Sequence, residues 1–509
     1  MTAAFLHGVE TIQINAGARP ITTVRTAVIG LVGTASKYTL GDQADWPTPD
    51  TPVLISSYSD AVKYFGTEGL DSYTIPAALK AIFDQGGAMA IVVNVLDPTA
   101  NNANISAESV TLNATTDKGQ LAHAGVTSGV IRSATDLTTN GTFASDTGWT
   151  KGTGWTIAAG KADCDGTQVA ASDLAQNQAC TEGRTYAVTY TITRSAGTLT
   201  PKIGGTAGTA RATAGTFTDV IVCGAGVDPK LEFEADADFV GTVDTVDCRE
   251  QFILTTDYLL DVITGGITRV RTGNIASGAS LKVNYSWMDP SAIVAADIVG
   301  TITAGVRSGA QCWLDAANLL GIKPKILIAP GYASSATTIA GLEVLAESLR
   351  AVYIADVASG TTLPNALLTR AYGGVFNTSS VRGIACYPYL NDTDGVLRPF
   401  SQYLAGVISN QDSVNGFWFS PSNVEIVGVS SLERALSFQL NDPNCDTNTL
   451  NANGFVTAAT GYGLGIRSWG NRNLSYPTST LPQNFIAVLR VQDVLWDSVE
   501  YATLQFMDQ

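Results

Sequence analysis

Histidine is almost absent from this chain: His7 and His123 are the only two among 509 residues. A Ser-His-Asp relay needs an imidazole oriented by an acid. His7 falls in a terminal arm and His123 in an Ala/Gly-rich loop, so an α/β enzyme lacks a credible catalytic set. Charge is scarce too. Charged residues make up 15% of the chain, well under the usual quarter, and the net charge is −16. An acidic balance argues against unaided nucleic-acid binding, because phosphates repel it. No run approaches the ~18 apolar residues of a membrane span. The first residues carry no basic segment followed by a long apolar one. These absences lead to the expectation of a chain made in a cytoplasm, without membrane insertion. None of the seven cysteines (Cys164, Cys180, Cys223, Cys248, Cys312, Cys386 and Cys445) sits in a C-x-x-C pair, which weakens zinc and thioredoxin-like readings. No metal and no cofactor is expected.

What the chain has instead is apolar residues, at 45%, and 50 glycines. Its length allows several cores, and its low charge suggests a surface largely covered by other subunits. Residues 1–25 read as an extended arm, with Val9, Ile12 and Ile14 at strand spacing and Pro20 ending the strand. Thr26 to Val32, Val53 to Ile55 and Ala90 to Leu96 read as strands. A helix is expected from a Ser59 cap to Gly66, and another over Thr74–Gln85 with Ile75, Leu79, Ile82 and Phe83 on one face. After Asp97 this alternation yields to Gly, Thr, Ala and Ser with a period of two. It returns after Asp297, with a buried strand at Pro324–Ala329 and an amphipathic helix at Ile339–Arg350. The expected fold is an α/β core, a mixed sheet flanked by helices, with inserted all-β domains, multi-domain α+β overall. The expected division is an arm at 1–25, a discontinuous core at 26–96 and 297–509, an inserted β domain at 97–136 and 251–296, and a nested β-sandwich at 137–250.

Several patterns invite chemistry. Gly30 to Ser36 follows a strand but lacks the Lys of a phosphate loop, so a tight turn is the plainer reading. Asn391 to Gly395 looks like half a calcium loop without its terminal acid, or an Asx-rich turn. Trp149 and Trp155 are either a sugar-stacking platform or core residues. Cys164, Cys180, Cys223 and Cys248 cluster in the nested segment, which suggests disulfide stapling, and the odd total of seven leaves a thiol free or paired across a subunit boundary; inert buried thiols are the alternative. The last helix, from about Phe485, is apolar around much of its circumference. Asp493, Asp497 and Glu500 form an acidic stripe on it, either an ordinary solvated face or a contact to a partner. Gly470 is expected to permit a backbone approach that a Cβ would block, with Trp469 in the core and Arg472 on backbone or acidic partners.

Four stretches then occur in one order: the arm His7-Gly8-Val9…Ile14-Asn15-x-Gly17-x-Arg19-x-Ile21; Val24-x-Thr26-Ala27-Val28-x-Gly30-x-Val32-Gly33-Thr34-Ala35; Gly321-x-Lys323-Pro324-x-Ile326-Leu327…Pro330-Gly331; and Arg467-x-Trp469-Gly470-Asn471-Arg472. Together they resemble the sheath protein of contractile bacteriophage tails over roughly residues 5–96 and 297–507. The 137–250 segment resembles small jelly-roll modules such as carbohydrate-binding domains. The resemblance implies a structural subunit rather than an enzyme. It implies sixfold rings stacked helically around a tail tube, and contraction that drives the tube through the host envelope. Its implied partners are copies of itself, the tail tube protein, and the baseplate and tail terminator proteins, with no nucleic acid. The implied place is the virion tail, assembled in the host bacterial cytoplasm. Asp493, Asp497 and Glu500 become candidates for facing the tube. The arm residues Val9, Ile12, Ile14 and Gly17 become candidates for linking subunits by strand addition. The family usually continues for ~100 residues past this last helix, a small domain's worth. A glycan-binding virion surface protein acting through residues 137–250 is the alternative.

The arm has too little apolar surface to fold alone. Deleting residues 1–18 is therefore expected to leave a folded monomer with an unchanged melting profile and to abolish ordered polymers in electron micrographs.

Overall fold

The computed structural model describes residues 25–36, 47–67, 73–224 and 229–504. His7 and the arm candidates Val9, Ile12, Ile14 and Gly17 lie outside them. The centre is a nine-stranded sheet in the order Val53–Ile55, Met89–Asn94, Val28–Gly33, Ile326–Ile328, Val352–Asp356, Gly383–Cys386, Phe455–Thr460, Ile466–Trp469, Val424–Glu425. The strands from Met89–Asn94 to Phe455–Thr460 run parallel, and the outer ones pair antiparallel. Parallel strands are covered on both faces, so each reads as a continuous apolar run rather than an alternating one. Val28 to Gly33 is buried throughout. Val28, Val32, Leu327 and Tyr353 pack with Trp313, Leu342 and Leu345 on one face. Ile29, Leu31, Ile328 and Ile354 pack with Leu79, Ile82, Leu404 and Ile486 on the other. Each such side chain contributes roughly 1.5–3 kcal/mol by leaving water.

The first helix, Tyr58–Phe65, is capped by Ser57, whose side chain accepts from the Asp60 N–H, and not by Ser59. Ser57 has extended backbone just before the helix, whereas Ser59 already lies inside it. Gly30 to Gly33 continue the first strand instead of forming a tight turn after it, and the segment is built for packing. A Cβ on Gly33 would stand 2.2 Å from Thr74 Oγ1. Thr34 and Thr74 exchange backbone-to-hydroxyl bonds of 3.1 and 3.2 Å, which seats the start of helix Thr74–Asp84. At Asn391–Gly395, Asp392 accepts from the N–H groups of Asp394 and Val396 and from Arg398, the pattern of a closed Asx turn. No cluster of acids, cysteines or histidines fit to hold a metal occurs among the described residues.

Two three-stranded antiparallel sheets lie between the two stretches of core: Asn102–Thr111, Ser280–Met288 and Val126–Ser133 in one, and Tyr258–Asp261, Gly266–Arg269 and Lys118–Gln120 in the other. His123 stacks on Trp287 beside them, with ring centroids 3.7 Å apart. Residues 150–250 form two antiparallel five-stranded sheets around a shared core that includes Phe143, Trp149, Trp155, Tyr190, Phe233 and Phe239. Strand Lys230–Ala235 shows the logic: Leu231, Phe233 and Ala235 point inward, while Glu232 and Glu234 lie toward solvent. The chain enters and leaves this sandwich side by side, where Arg132 bridges to Gln251.

One buried carboxylate should be visible in stability. Asp356 ends a central strand; its Oδ1 accepts from the Ser401 N–H (2.8 Å) at the start of helix Phe400–Val414, and Oδ2 finds no partner among the described residues. Burial pushes its pKa up to about 6, against the opposing bond from Ser401. A raised carboxyl pKa means the native state holds the proton more tightly than the unfolded chain. Stability is therefore expected to fall as pH rises from about 4 to about 6, by on the order of 2–3 kcal/mol. Asp356→Asn should flatten that segment of the pH profile of chemical denaturation.

Candidate functional site: the seat of the C-terminal helix

The helix Ile486–Leu504 starts where residues 467–484 prepare its end. Asn471 accepts from the first free N–H groups, its backbone O from Ile486 (3.1 Å) and its Oδ1 from Ala487 (3.4 Å). Asn473 ties the incoming turn together: its N–H donates to Asn484 O (2.9 Å) and its Nδ2 to Gln483 O (2.6 Å). The Leu474 N–H donates to Gly383 O (2.8 Å) and fastens the segment to the central sheet. Gly470 has φ +123°, and a Cβ there would lie 2.4 Å from Asn451 Oδ1. Two details differ from expectation. Arg472 bonds the Asn484 amide and stacks on Phe485 (3.7 Å) and Tyr476 (4.5 Å), not on an acid. Trp469 is only half buried and meets Phe438 edge-on at 4.8 Å, because its strand pairs near the sheet's edge.

Two of the three acids of the stripe, Asp493 and Asp497, turn inward, which corrects that reading for them. Asp493 and Asp497 are 5% and 9% exposed. Asp493 pairs with Arg382. Asp497 pairs with Lys325 and, at 3.0 Å, with Arg350, which also holds the exposed Glu500. A turn earlier, Arg490 grips Asp412 with two bonds (2.7 and 2.5 Å) and donates to Thr26 O (3.0 Å). Lys325 Nζ also donates to Leu349 O (2.9 Å), a free carbonyl at the end of helix Ala336–Leu349. Burial holds the Lys325 ammonium below its usual pKa and pushes the Asp493 carboxyl up, in each case against the pull of the ion partner. The physical reason is remote. The cations come from three separate stretches of chain beneath the helix, and nothing near residue 493 announces them. One local signal exists: Arg490, Asp493 and Asp497 lie on the same stripe as the buried Ile486 and Leu489. Charges on an apolar stripe need partners.

The opposite face is apolar and open. Leu495, Trp496 and Val499 are 58%, 49% and 60% exposed, and Val488 extends the row. Instead of being buried on several sides, the helix covers one face within this chain. Thr26, Lys325 and Asn471 come from three of the four stretches singled out in the sequence, so those stretches converge on this seat.

The sandwich residues are placed differently from the glycan expectation. Trp149 and Trp155 are buried, with indole N–H groups donating to Asn140 O and Ser172 O (3.2 Å each), so they offer no platform. All the cysteines are free thiols. Cys164 donates to Gln168 Oε1 (3.3 Å) and Cys248 is enclosed, while Cys180 and Cys223 touch, with sulfurs 3.3 Å apart.

Comparisons with known proteins find tail sheath proteins. Residues 26–95 match the family model described as tail sheath protein Gp18 domain III N-terminal region, and residues 305–474 match that of the phage tail sheath protein central domain. The tail sheath protein of Burkholderia phage BcepMu is 33% identical over 517 residues, covering 100% of this chain and 83% of that protein. The putative prophage major tail sheath protein of Pseudomonas aeruginosa strain UCBPP-PA14 is 33% identical over 215 residues, 41% of this chain and 53% of that one. Among solved structures, the contracted helical sheath of the anti-feeding prophage aligns along 100% of this chain and 78% of that chain, with 13% identity and a TM-score of 0.43. The chain belongs to the phage tail sheath protein family. It is a structural protein of a contractile bacteriophage tail.

Breaking the pair at Arg382 should be costly. Arg382→Ala leaves Asp493 buried and unpaired and is expected to cost roughly 3–5 kcal/mol in chemical denaturation, with much of it recovered in the double variant Arg382→Met/Asp493→Leu. Glu500→Ala, at the exposed end, should cost under about 1 kcal/mol.

Proposed function

We propose that this chain is the repeating subunit of the sheath: copies assemble in sixfold rings, stack helically around the tail tube, and contract to drive the tube through the host envelope. Its partners on this reading are other copies, the tube protein, and the baseplate and terminator proteins, with no nucleic acid and no membrane insertion. Assembly takes place in the host cytoplasm, and the work is mechanical, with no enzymatic step. The observation that carries it is the inverted C-terminal helix, whose charges are spent inside the chain while an apolar row faces outward. An apolar row of this kind is ordinarily covered by a partner. The tube contact is assigned to Leu495, Trp496 and Val499 and not to Asp493 and Asp497. The two inner aspartates lock the helix to the sheet so that subunit and contact surface move as one body.

The division into arm, discontinuous core, inserted β domain and nested sandwich follows the same reading. The sandwich, with eight Lys and Arg against fourteen Asp and Glu over residues 137–250, faces water on the outside. The glycan-binding alternative loses its strongest support with Trp149 and Trp155 in the core.

Electron microscopy tests the proposal directly. The purified chain should form hollow, helically striated tubes; soluble monomers that bind a glycan array would overturn it. Leu495→Ser/Val499→Ser should change monomer stability by no more than about 0.5 kcal/mol per exposed site. The same variant should lose assembly on isolated tubes while keeping self-association, and undiminished assembly on tubes would remove this face from the contact.

A further inference from the structure

The two touching thiols of the sandwich occupy a telling place. Cys180 lies in the connection from strand Ser172–Asn177, in one sheet, to strand Thr185–Ala196, in the other. Cys223 follows strand Gly215–Val222 of that second sheet. The backbone around both is pinned. Cys223 N–H donates to Arg184 O (2.8 Å), Gly183 N–H donates to Cys223 O (3.0 Å), and Thr181 N–H donates to the Tyr186 hydroxyl (2.7 Å). Cys180 is partly exposed, whereas Cys164 and Cys248 are enclosed. A disulfide bond is about 2.05 Å long, so the sulfurs need to close by roughly 1.3 Å with little movement of the backbone.

We propose that Cys180 and Cys223 are a modification site: they form an intrachain disulfide when the protein meets an oxidising environment, and the bond fastens the connection between the sheets to the end of the second one. The oxidant is a small-molecule disulfide such as oxidised glutathione. The Cys180 thiolate attacks one of its sulfurs, giving a mixed disulfide and expelling one thiolate. The Cys223 thiolate then attacks the Cys180 sulfur and expels the second. Two protein thiols are oxidised, one small disulfide is reduced to two thiols, and the two protons pass to the expelled thiolates. Burial, with Cys223 adding to it, pushes the Cys180 thiol up to about 12, so the first step quickens with rising pH. The inference is independent of the sheath reading. It replaces a bond between subunits by one inside each subunit.

The bond constrains the unfolded sandwich, since it closes a loop of about 44 residues, and should raise the sandwich's melting transition by on the order of 10 °C. The test incubates the full chain with oxidised glutathione at alkaline pH. Samples are then quenched in acid, denatured, alkylated and mapped by mass spectrometry, with calorimetry in parallel. The expected result is a chain lighter by two hydrogens, a Cys180–Cys223 linked peptide and the other five cysteines alkylated. It should run as a monomer on a non-reducing gel, with an upward shift in melting that dithiothreitol reverses. Cys180→Ser and Cys223→Ser should each melt where the reduced chain does and show no shift with oxidant. Seven alkylated cysteines, glutathione retained on Cys180, any other pairing, covalent dimers, or a linked chain with unchanged melting would each overturn the proposal.

Discussion

Charge buried between the C-terminal helix and the central sheet is the constraint from which much of the molecule's arrangement follows. Taking Arg382 and Asp493 out of water costs several kcal/mol per ion. That cost is offset only if each finds its partner in a fixed geometry. The helix can therefore dock in one rotation. With Arg490 held by Asp412 and Asp497 held by Lys325, a turn of the helix about its axis would break three ion pairs at once. An apolar seat would bind as tightly but would tolerate sliding. The ionic seat fixes which residues face out, and so fixes Leu495, Trp496 and Val499 as the surface on offer.

The same geometry joins distant parts of the chain. Thr26, two residues before the first strand, lies against Arg490, and both contact Asp412 on helix Phe400–Val414. Asn471 supplies the helix start, and Leu474 anchors that segment to strand Gly383–Cys386. These bonds tie the elements into one connected seat.

Much of the core was legible in the residues. Thr26–Val32 and Pro324–Ala329 read as strands, and the observed Val28–Gly33 and Ile326–Ile328 fall within a residue of them, because a sheet covered on both faces leaves no polar alternation. Helix Thr74–Asp84 shows its face through Ile75, Leu79 and Ile82. The site was less legible because its partners are remote: Lys325 and Asp497 are 172 residues apart. The tryptophans were readable with more care. Trp155 and Ile157 share a parity in a four-residue strand, and both are buried while Thr156 is not. Cys180 and Cys223 could not have been singled out from four candidates, because their contact depends on how the two sheets stack.

The side-by-side entry and exit of the sandwich, at the Arg132–Gln251 bridge, has a consequence for tension. A pull between neighbouring subunits travels along whatever chain joins their points of attachment. Both ends of the sandwich hang from one spot, so it sits like a pendant on a rope. In the sheath proposed above, the stress would pass by it, through the central sheet. Its hydrogen bonds would not be loaded in series with the moving parts, and its sequence would be free to vary in size and character without altering the stiffness of the polymer.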